Sequence, residues 1–107
     1  MVNLAPLVDA HLTAARASER GRSAELVVHD GPLRQSVIAL LSGTELHEHE
    51  APPAASIQVL TGTVRVTEAD EEPRALVTGD LWTLTHARHA VVADEDSAFL
   101  LTTVTGV

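Results

Sequence analysis

The residues that decide the fold are 55–68, which read ASIQVLTGTVRVTE. Apolar and polar side chains alternate on both sides of Thr61-Gly62, and alternation with period two predicts strands that each bury one face. A two-residue connection that contains glycine, set between two such runs, predicts a tight hairpin. We therefore expect strands at 55–60 and 63–68, joined by this turn.

Short runs of the same kind, separated by turn residues, fill the rest of the chain after Gly21. Turn signals such as Asp30-Gly31-Pro32 and Gly79-Asp80 recur about every 8–12 residues, which is typical of a β-sandwich or barrel. Strands do not alternate with helices, so a parallel sheet is not expected. The other predicted strands are 24–29, 33–41, 44–49, 74–78, 81–84, 89–93 and 98–104.

Only residues 4–18 have the periodicity of a helix, with Asn3 as the expected N-cap and Gly21 as the expected stop. We therefore divide the chain into an N-terminal helical segment, 1–22, and a β-domain, 23–107. His11 lies on or beside the apolar stripe of the helix, where a packing role is favoured over a ligand role. The stripe consists of Leu4, Leu7, Val8, His11, Leu12 and Ala15.

Composition restricts the function. The 107 residues fit one domain, and their formal net charge of −8 comes from 15 acidic and 7 basic residues with no lysine. Nucleic-acid binding is not expected, because phosphate contacts need Lys and Arg. Cysteine is absent, so disulfides, thiolate metal sites and a Cys nucleophile are excluded.

Targeting signals are also missing from the sequence. No run of about 18 apolar residues predicts a membrane span. Residues 1–6 lack the basic start and apolar stretch of a signal peptide, so we expect a cytoplasmic protein. Common catalytic motifs such as Gly-x-Ser-x-Gly and the P-loop do not occur either.

Histidines provide the candidate functional site. His47 and His49 lie two apart on a predicted strand, so their side chains share one face and could bind one ion. Glu48 and Glu50 would then face the other way. A third ligand must come from elsewhere, and the only other clustered histidines are at 86 and 89.

These residues resemble the two motifs of the cupin family. Residues 43–62 are similar to the first motif, a Gly, His-x-His, a Glu and a hairpin Gly, with matches at Gly43, His47, His49 and Gly62. Residues 79–89 are similar to the second motif, with matches at Gly79, Asp80 and His89. The resemblance covers roughly residues 24–104.

The resemblance implies an all-β, cupin-type double-stranded β-helix (an RmlC-like jelly-roll barrel) with one N-terminal α-helix, assembled as a homodimer. In metal-bearing members the matching histidines bind an ion inside the barrel. Carried over, His47, His49 and His89 are the metal ligands, and His86 is a further candidate. Imidazoles suit Zn²⁺, Ni²⁺, Fe²⁺ or Cu²⁺, and no organic cofactor is implied.

Three departures from the family pattern bear on this site. The family Glu, seven residues before the hairpin Gly, is replaced by Ala55, and the Pro and Gly of the second motif are Thr85 and Ala87. An alternative register makes His49 the first motif His and Ala51 the second, with His47 as an extra. A 2-His-1-carboxylate iron site would need the missing carboxylate.

Three functions follow as hypotheses. The first is a cupin-domain protein that binds a divalent metal, a small molecule or both in the barrel. The second is a metal-dependent dioxygenase or isomerase acting on a small molecule, with the ion as Lewis acid. The third is a metal-free structural or regulatory dimer. We expect Trp82 to pack in the core or at an interface, and the acidic runs 70–72 and 94–96 to lie in solvated turns.

Overall fold

The structure, a computed structural model, describes residues 1–47, 52–69 and 71–105. In these ranges one helix, α1 (Leu4–Ala17), precedes nine strands. The strands are β1 (Arg22–Asp30), β2 (Leu33–Leu40), β3 (Glu45–His47), β4 (Ala54–Thr61), β5 (Thr63–Glu68), β6 (Arg74–Val77), β7 (Leu81–Leu84), β8 (His89–Ala93) and β9 (Ser97–Val104). Each predicted strand is present, and the part of the 44–49 prediction beyond His47 falls outside the described residues.

The strands form two antiparallel sheets. One sheet has five strands in the order β1-β2-β9-β4-β7, and the other has four in the order β3-β8-β5-β6. Successive strands cross repeatedly between the two sheets, which is the connectivity of a jelly roll. The prediction of an all-β jelly roll with one N-terminal helix is confirmed, although the two sheets stay separate and do not close into a continuous barrel.

The turn at Thr61-Gly62 links the two sheets. β4 pairs with β9 and β7 in the five-stranded sheet, while β5 pairs with β8 and β6 in the four-stranded sheet. The prediction of a hairpin here is therefore wrong in its pairing, because the two strands separate into different sheets after a correctly predicted turn. Gly62 makes this turn with a φ of +96°, a region that favours glycine.

Aliphatic side chains fill the space between the sheets, as the scarcity of aromatic residues predicts. Phe99 is the largest fully buried side chain, and Ile57, Val66 and Val91 are buried in the same cluster. Trp82 is half-buried against this cluster. The Arg74 guanidinium lies 4.6 Å from the centre of the Trp82 ring, so a cation–π contact joins the edge strands β6 and β7.

Helix α1 covers part of the outer face of the five-stranded sheet. Its residue Ala15 is buried against Ala39 and Ala98 of that sheet. The Asn3 side chain accepts a hydrogen bond from the Ala5 N–H at 3.2 Å, which confirms the predicted N-cap. The predicted stop at Gly21 is wrong: the helix ends at Ala17, because the backbone of Ser18 is extended. None of the helices that the structure describes is long and apolar enough to cross a membrane.

His11 links the helix to the sheet. Its Nδ1 lies 2.7 Å from the Ser23 hydroxyl and its Nε2 lies 3.0 Å from a carboxylate oxygen of Glu25. We expect His11→Ala to lower the free energy of unfolding by about 1 kcal/mol, since one part-buried and one exposed hydrogen bond are lost. His29→Ala, at an exposed strand end, is the matched control and should change it by less than about 0.5 kcal/mol. Urea unfolding checks both, and equal effects would contradict the assignment.

Candidate functional site

Two buried polar side chains face each other on strands β5 and β8. The inward-facing row of β5 is Val64, Val66 and Glu68, and Glu68 is directly opposite His89 at the start of β8. Glu68 is 3% exposed and His89 is 5% exposed. Acidic residues and histidines are rarely buried this deeply without a specific partner, so the pair stands out from the aliphatic interior.

The backbone hydrogen bonds bring these two side chains close together. The Ala69 N–H donates to Arg88 O at 3.2 Å, and the Asp94 N–H donates to Thr63 O at 2.9 Å. Ala69 and Arg88 are thus a hydrogen-bonded pair, and Glu68 and His89 are the next pair along the ladder. Because the two kinds of pair alternate along an antiparallel ladder, Glu68 and His89 form a non-hydrogen-bonded pair. In such a pair the two Cβ atoms approach to about 4.5–5.5 Å.

The His89 ring has no hydrogen-bond partner among the residues that the structure describes. Both Nδ1 and Nε2 are buried, and neither is hydrogen-bonded to a group in residues 1–47, 52–69 or 71–105. Leaving a buried donor or acceptor unsatisfied costs about 1–3 kcal/mol. A side chain that carries this cost at an otherwise apolar position is expected to have a function, such as binding a ligand.

Glu68 is held in place by the chain that follows β7. Its Oε1 accepts a hydrogen bond from the Thr85 N–H at 3.0 Å. Among the ion pairs between described residues, none involves Glu68. One hydrogen bond from a neutral amide compensates poorly for the desolvation of a carboxylate, so the buried charge of Glu68 lacks a counter-ion in this part of the chain.

His47 lies on the opposite face of the four-stranded sheet from His89. Strand β3 pairs with β8 so that Leu46 is opposite Val91 and His47 is opposite Ala90. Leu46 packs against the core, which directs the His47 side chain outward. That side chain is 65% exposed, and its Nε2 lies 3.4 Å from Glu45 Oε1. The described residues thus do not bring His47 and His89 together.

The remaining predicted ligands are not assembled in the described ranges. His49, together with Glu48 and Glu50, lies outside the described residues. His86 is exposed in the loop 85–88. Within residues 1–47, 52–69 and 71–105, no three His, Asp or Glu side chains group closely enough to hold a metal by themselves.

The position where the family motif has its carboxylate lies at the same end of the sandwich as His89. Ala55 is buried and pairs with Leu84 on β7, and Leu84 immediately precedes the Thr85 amide that binds Glu68. We call this region the His89 end, defined by Ala55, Glu68, Leu84 and His89. As strand parity predicts, Ser56 and Gln58 alternate with the inward-facing residues of β4 and do not face this region.

Sequence reasoning missed Glu68, although a signal for it was present. The alternation Val64, Val66, Glu68 makes every second residue of this strand face inward. A carboxylate at an inward position of a β-strand is a candidate functional residue. The sequence did not show that Glu68 is opposite His89, because the pairing of β5 with β8 joins strands that are far apart in the sequence.

The acidic turns have structural roles. Asp94 lies 2.8 Å from the Arg65 Nε, and the Asp96 carboxylate accepts a hydrogen bond from the Ser42 N–H at 2.9 Å. Glu71 and Glu72 are exposed, as predicted for a solvated turn, and Asp70 lies outside the described residues. Trp82 packs against the core, as the sequence also predicted.

Comparison with known proteins gives matches among solved structures. No protein-family model matches the chain, and no curated protein matches it either. At identities below 25%, the structural matches show the fold. One is a conserved protein of unknown function from Streptococcus pyogenes, with a TM-score of 0.73 and 24% identity; the match covers 84% of this chain and 79% of that chain. Another is a cupin superfamily protein from Desulfitobacterium hafniense, with a TM-score of 0.72 and 17% identity; the match covers 79% of this chain and 78% of that chain. A third is the Cupin_2 domain of an XRE family transcriptional regulator from Enterobacter cloacae, with a TM-score of 0.69 and 17% identity; the match covers 80% of this chain and 98% of that chain.

Proposed function

We propose that this chain, a small cupin-domain protein by its fold, binds a divalent transition metal at the His89 end of the sandwich. The observation that carries the proposal is the His89 ring, whose two nitrogens are buried and have no hydrogen-bond partner in the described part of the chain. Neutral imidazole is a favoured ligand of Zn²⁺, Ni²⁺, Cu²⁺ and Fe²⁺. A bound ion would satisfy one ring nitrogen and offset the cost of burying it.

The chemistry of the described donors fits such an ion. Imidazole nitrogen and carboxylate oxygen are both common zinc and iron ligands, and both are buried at this end in His89 and Glu68. Two donors leave coordination positions for water, for a small molecule or for further protein ligands. His49 stays a proposed further ligand on the resemblance of its motif, and this would require that it does not share the outward face of His47.

An open coordination position would also explain small-molecule binding. A ligand with a carboxylate, hydroxyl or carbonyl oxygen could displace metal-bound water and coordinate the ion directly. Turnover as a dioxygenase or isomerase stays a hypothesis, since the fold alone does not determine the reaction. Homodimer formation and a cytoplasmic location likewise stay predictions.

The test is metal binding by the wild type and by His89→Leu. We expect the wild type, freed of metal by a chelator, to bind about one equivalent of Zn²⁺ or Co²⁺ and to melt at a higher temperature with the ion. His89→Leu should lose this binding. Its stability without metal should be unchanged or higher, because the substitution removes two unsatisfied polar atoms from the interior.

The matched control is His47→Gln, at an exposed position on the other face of the same sheet. We expect this variant to bind metal at the His89 end with the wild-type affinity. Metal binding that survives His89→Leu but is abolished by His47→Gln would contradict the proposed site. No binding by the wild type would favour a metal-free binding module or regulatory dimer.

A further inference from the structure

Glu68 combines three features that the fold does not require. It is buried, and it is directly opposite His89, whose ring has no hydrogen-bond partner among the described residues. None of the ion pairs between described residues neutralises its charge. A carboxylate and an imidazole that lie directly opposite each other on neighbouring strands could share a proton or a cation. No ion pair within 4.0 Å joins these two described residues.

We infer that Glu68 is the carboxylate ligand of the metal site, supplied by strand β5 in place of the missing carboxylate on strand β4. This inference rests on the proposed function and adds a residue to it. Ala55 stands seven residues before Gly62, and Glu68 stands six residues after it. Strands β4 and β5 both extend from the Gly62 turn towards the His89 end, so the two positions lie there, one from each sheet.

The hydrogen bond from Thr85 prepares Glu68 for this role. The Thr85 N–H at 3.0 Å orients the carboxylate through Oε1. In the described part of the chain, this is the side-chain hydrogen bond that Glu68 makes, and it leaves Oε2 available to a ligand. Metal-binding carboxylates are commonly oriented by such a second hydrogen bond. A divalent cation between Glu68 and His89 would also supply the counter-charge that the buried carboxylate lacks.

A structural role for Glu68 alone makes a different prediction. If the side chain served only to anchor the chain at Thr85, glutamine would replace it well, because the amide oxygen also accepts a hydrogen bond. Glutamine, however, has no charge and is a poor ligand for a hard or borderline cation. Glu68→Gln thus separates anchoring from metal binding with nearly the same shape.

The experiment is a Co²⁺ titration in competition with a chromophoric chelator, followed by the visible spectrum of the bound ion. We expect Glu68→Gln to weaken Co²⁺ binding by at least about tenfold and to change the spectrum, while its melting temperature without metal stays near that of the wild type. Glu72→Gln removes the same charge from the exposed neighbouring turn and is expected to bind within about twofold of the wild type.

The outcomes separate the inference from the proposed function. If Glu68→Gln binds Co²⁺ as the wild type does and His89→Leu does not, Glu68 is not a ligand and the metal site stands without it. If the wild type binds no metal, or if His89→Leu binds it unchanged, both proposals are wrong. Should Glu68→Gln not fold, Glu68→Asp is titrated, and a shift of the Co²⁺ spectrum is expected because the carboxylate is one methylene shorter.

Discussion

Replacing Phe99 with alanine is expected to lower the free energy of unfolding by about 3–5 kcal/mol. Phe99 is 0% exposed and lies on β9, where it pairs with Ile38 on one side and Val59 on the other. It is the chain's only phenylalanine, and the small aliphatic residues around it are held by three strands. The cavity left by the missing ring would therefore close only in part.

A loss of this size would remove a large share of the stability of a small domain, which is typically about 5–15 kcal/mol. Urea unfolding followed by the fluorescence of Trp82, the chain's only tryptophan, would measure it. Leu100→Ala is the matched control, because Leu100 adjoins Phe99 on the same strand but is only half-buried. A Phe99→Ala cost below that of Leu100→Ala would show that the interior is not packed as described.

Replacing Gly62 with alanine is expected to lower the free energy of unfolding by about 2–3 kcal/mol, from two sources. A residue with a Cβ is strained at the positive φ of this turn by about 1–2 kcal/mol. The added Cβ would also collide with the Ser97 side chain and would lie 2.8 Å from the Asp96 carbonyl oxygen. Moving Ser97 would disturb its hydrogen bond from the Thr63 N–H, at 3.0 Å, for a further cost of about 1 kcal/mol.

Gly79 offers a matched control for this prediction. Its φ of +92° is close to that of Gly62, but a Cβ there would meet nothing within 4 Å. We therefore expect Gly79→Ala to cost only the conformational strain, about 1–2 kcal/mol. Equal losses of stability in the two variants, measured by urea unfolding, would mean that the close approach of Ser97 to Gly62 adds nothing to the cost of the substitution.

Most of the fold could be predicted from the sequence because its signals are local. Alternation on both sides of Thr61-Gly62 depends on residues two apart, and the glycine turn depends on one backbone conformation. The order of the strands in the sheets was harder to predict from the sequence, since β9 lies between β2 and β4. Those pairings join distant parts of the chain, and the resemblance to cupins was needed to anticipate the jelly roll.

The candidate site could be predicted only in part. His89 was identified from its motif, and its burial without partners adds to that identification. The shared face of His47 and His49 was inferred from strand parity, but parity alone does not say which face is inward. Leu46, apolar between Glu45 and His47, was the available signal, because the apolar face of a strand usually packs on the core.

The central claim, that the buried imidazole of His89 binds a divalent metal, is tested most directly by the ring ¹⁵N resonances of the six histidines during addition of Zn²⁺. We predict that one equivalent moves the His89 ring signals to those of a metal-bound imidazole in slow exchange, while His11 and His29 keep theirs. If His89 stays unchanged at one equivalent, whether or not other histidines respond, the proposed metal site is wrong.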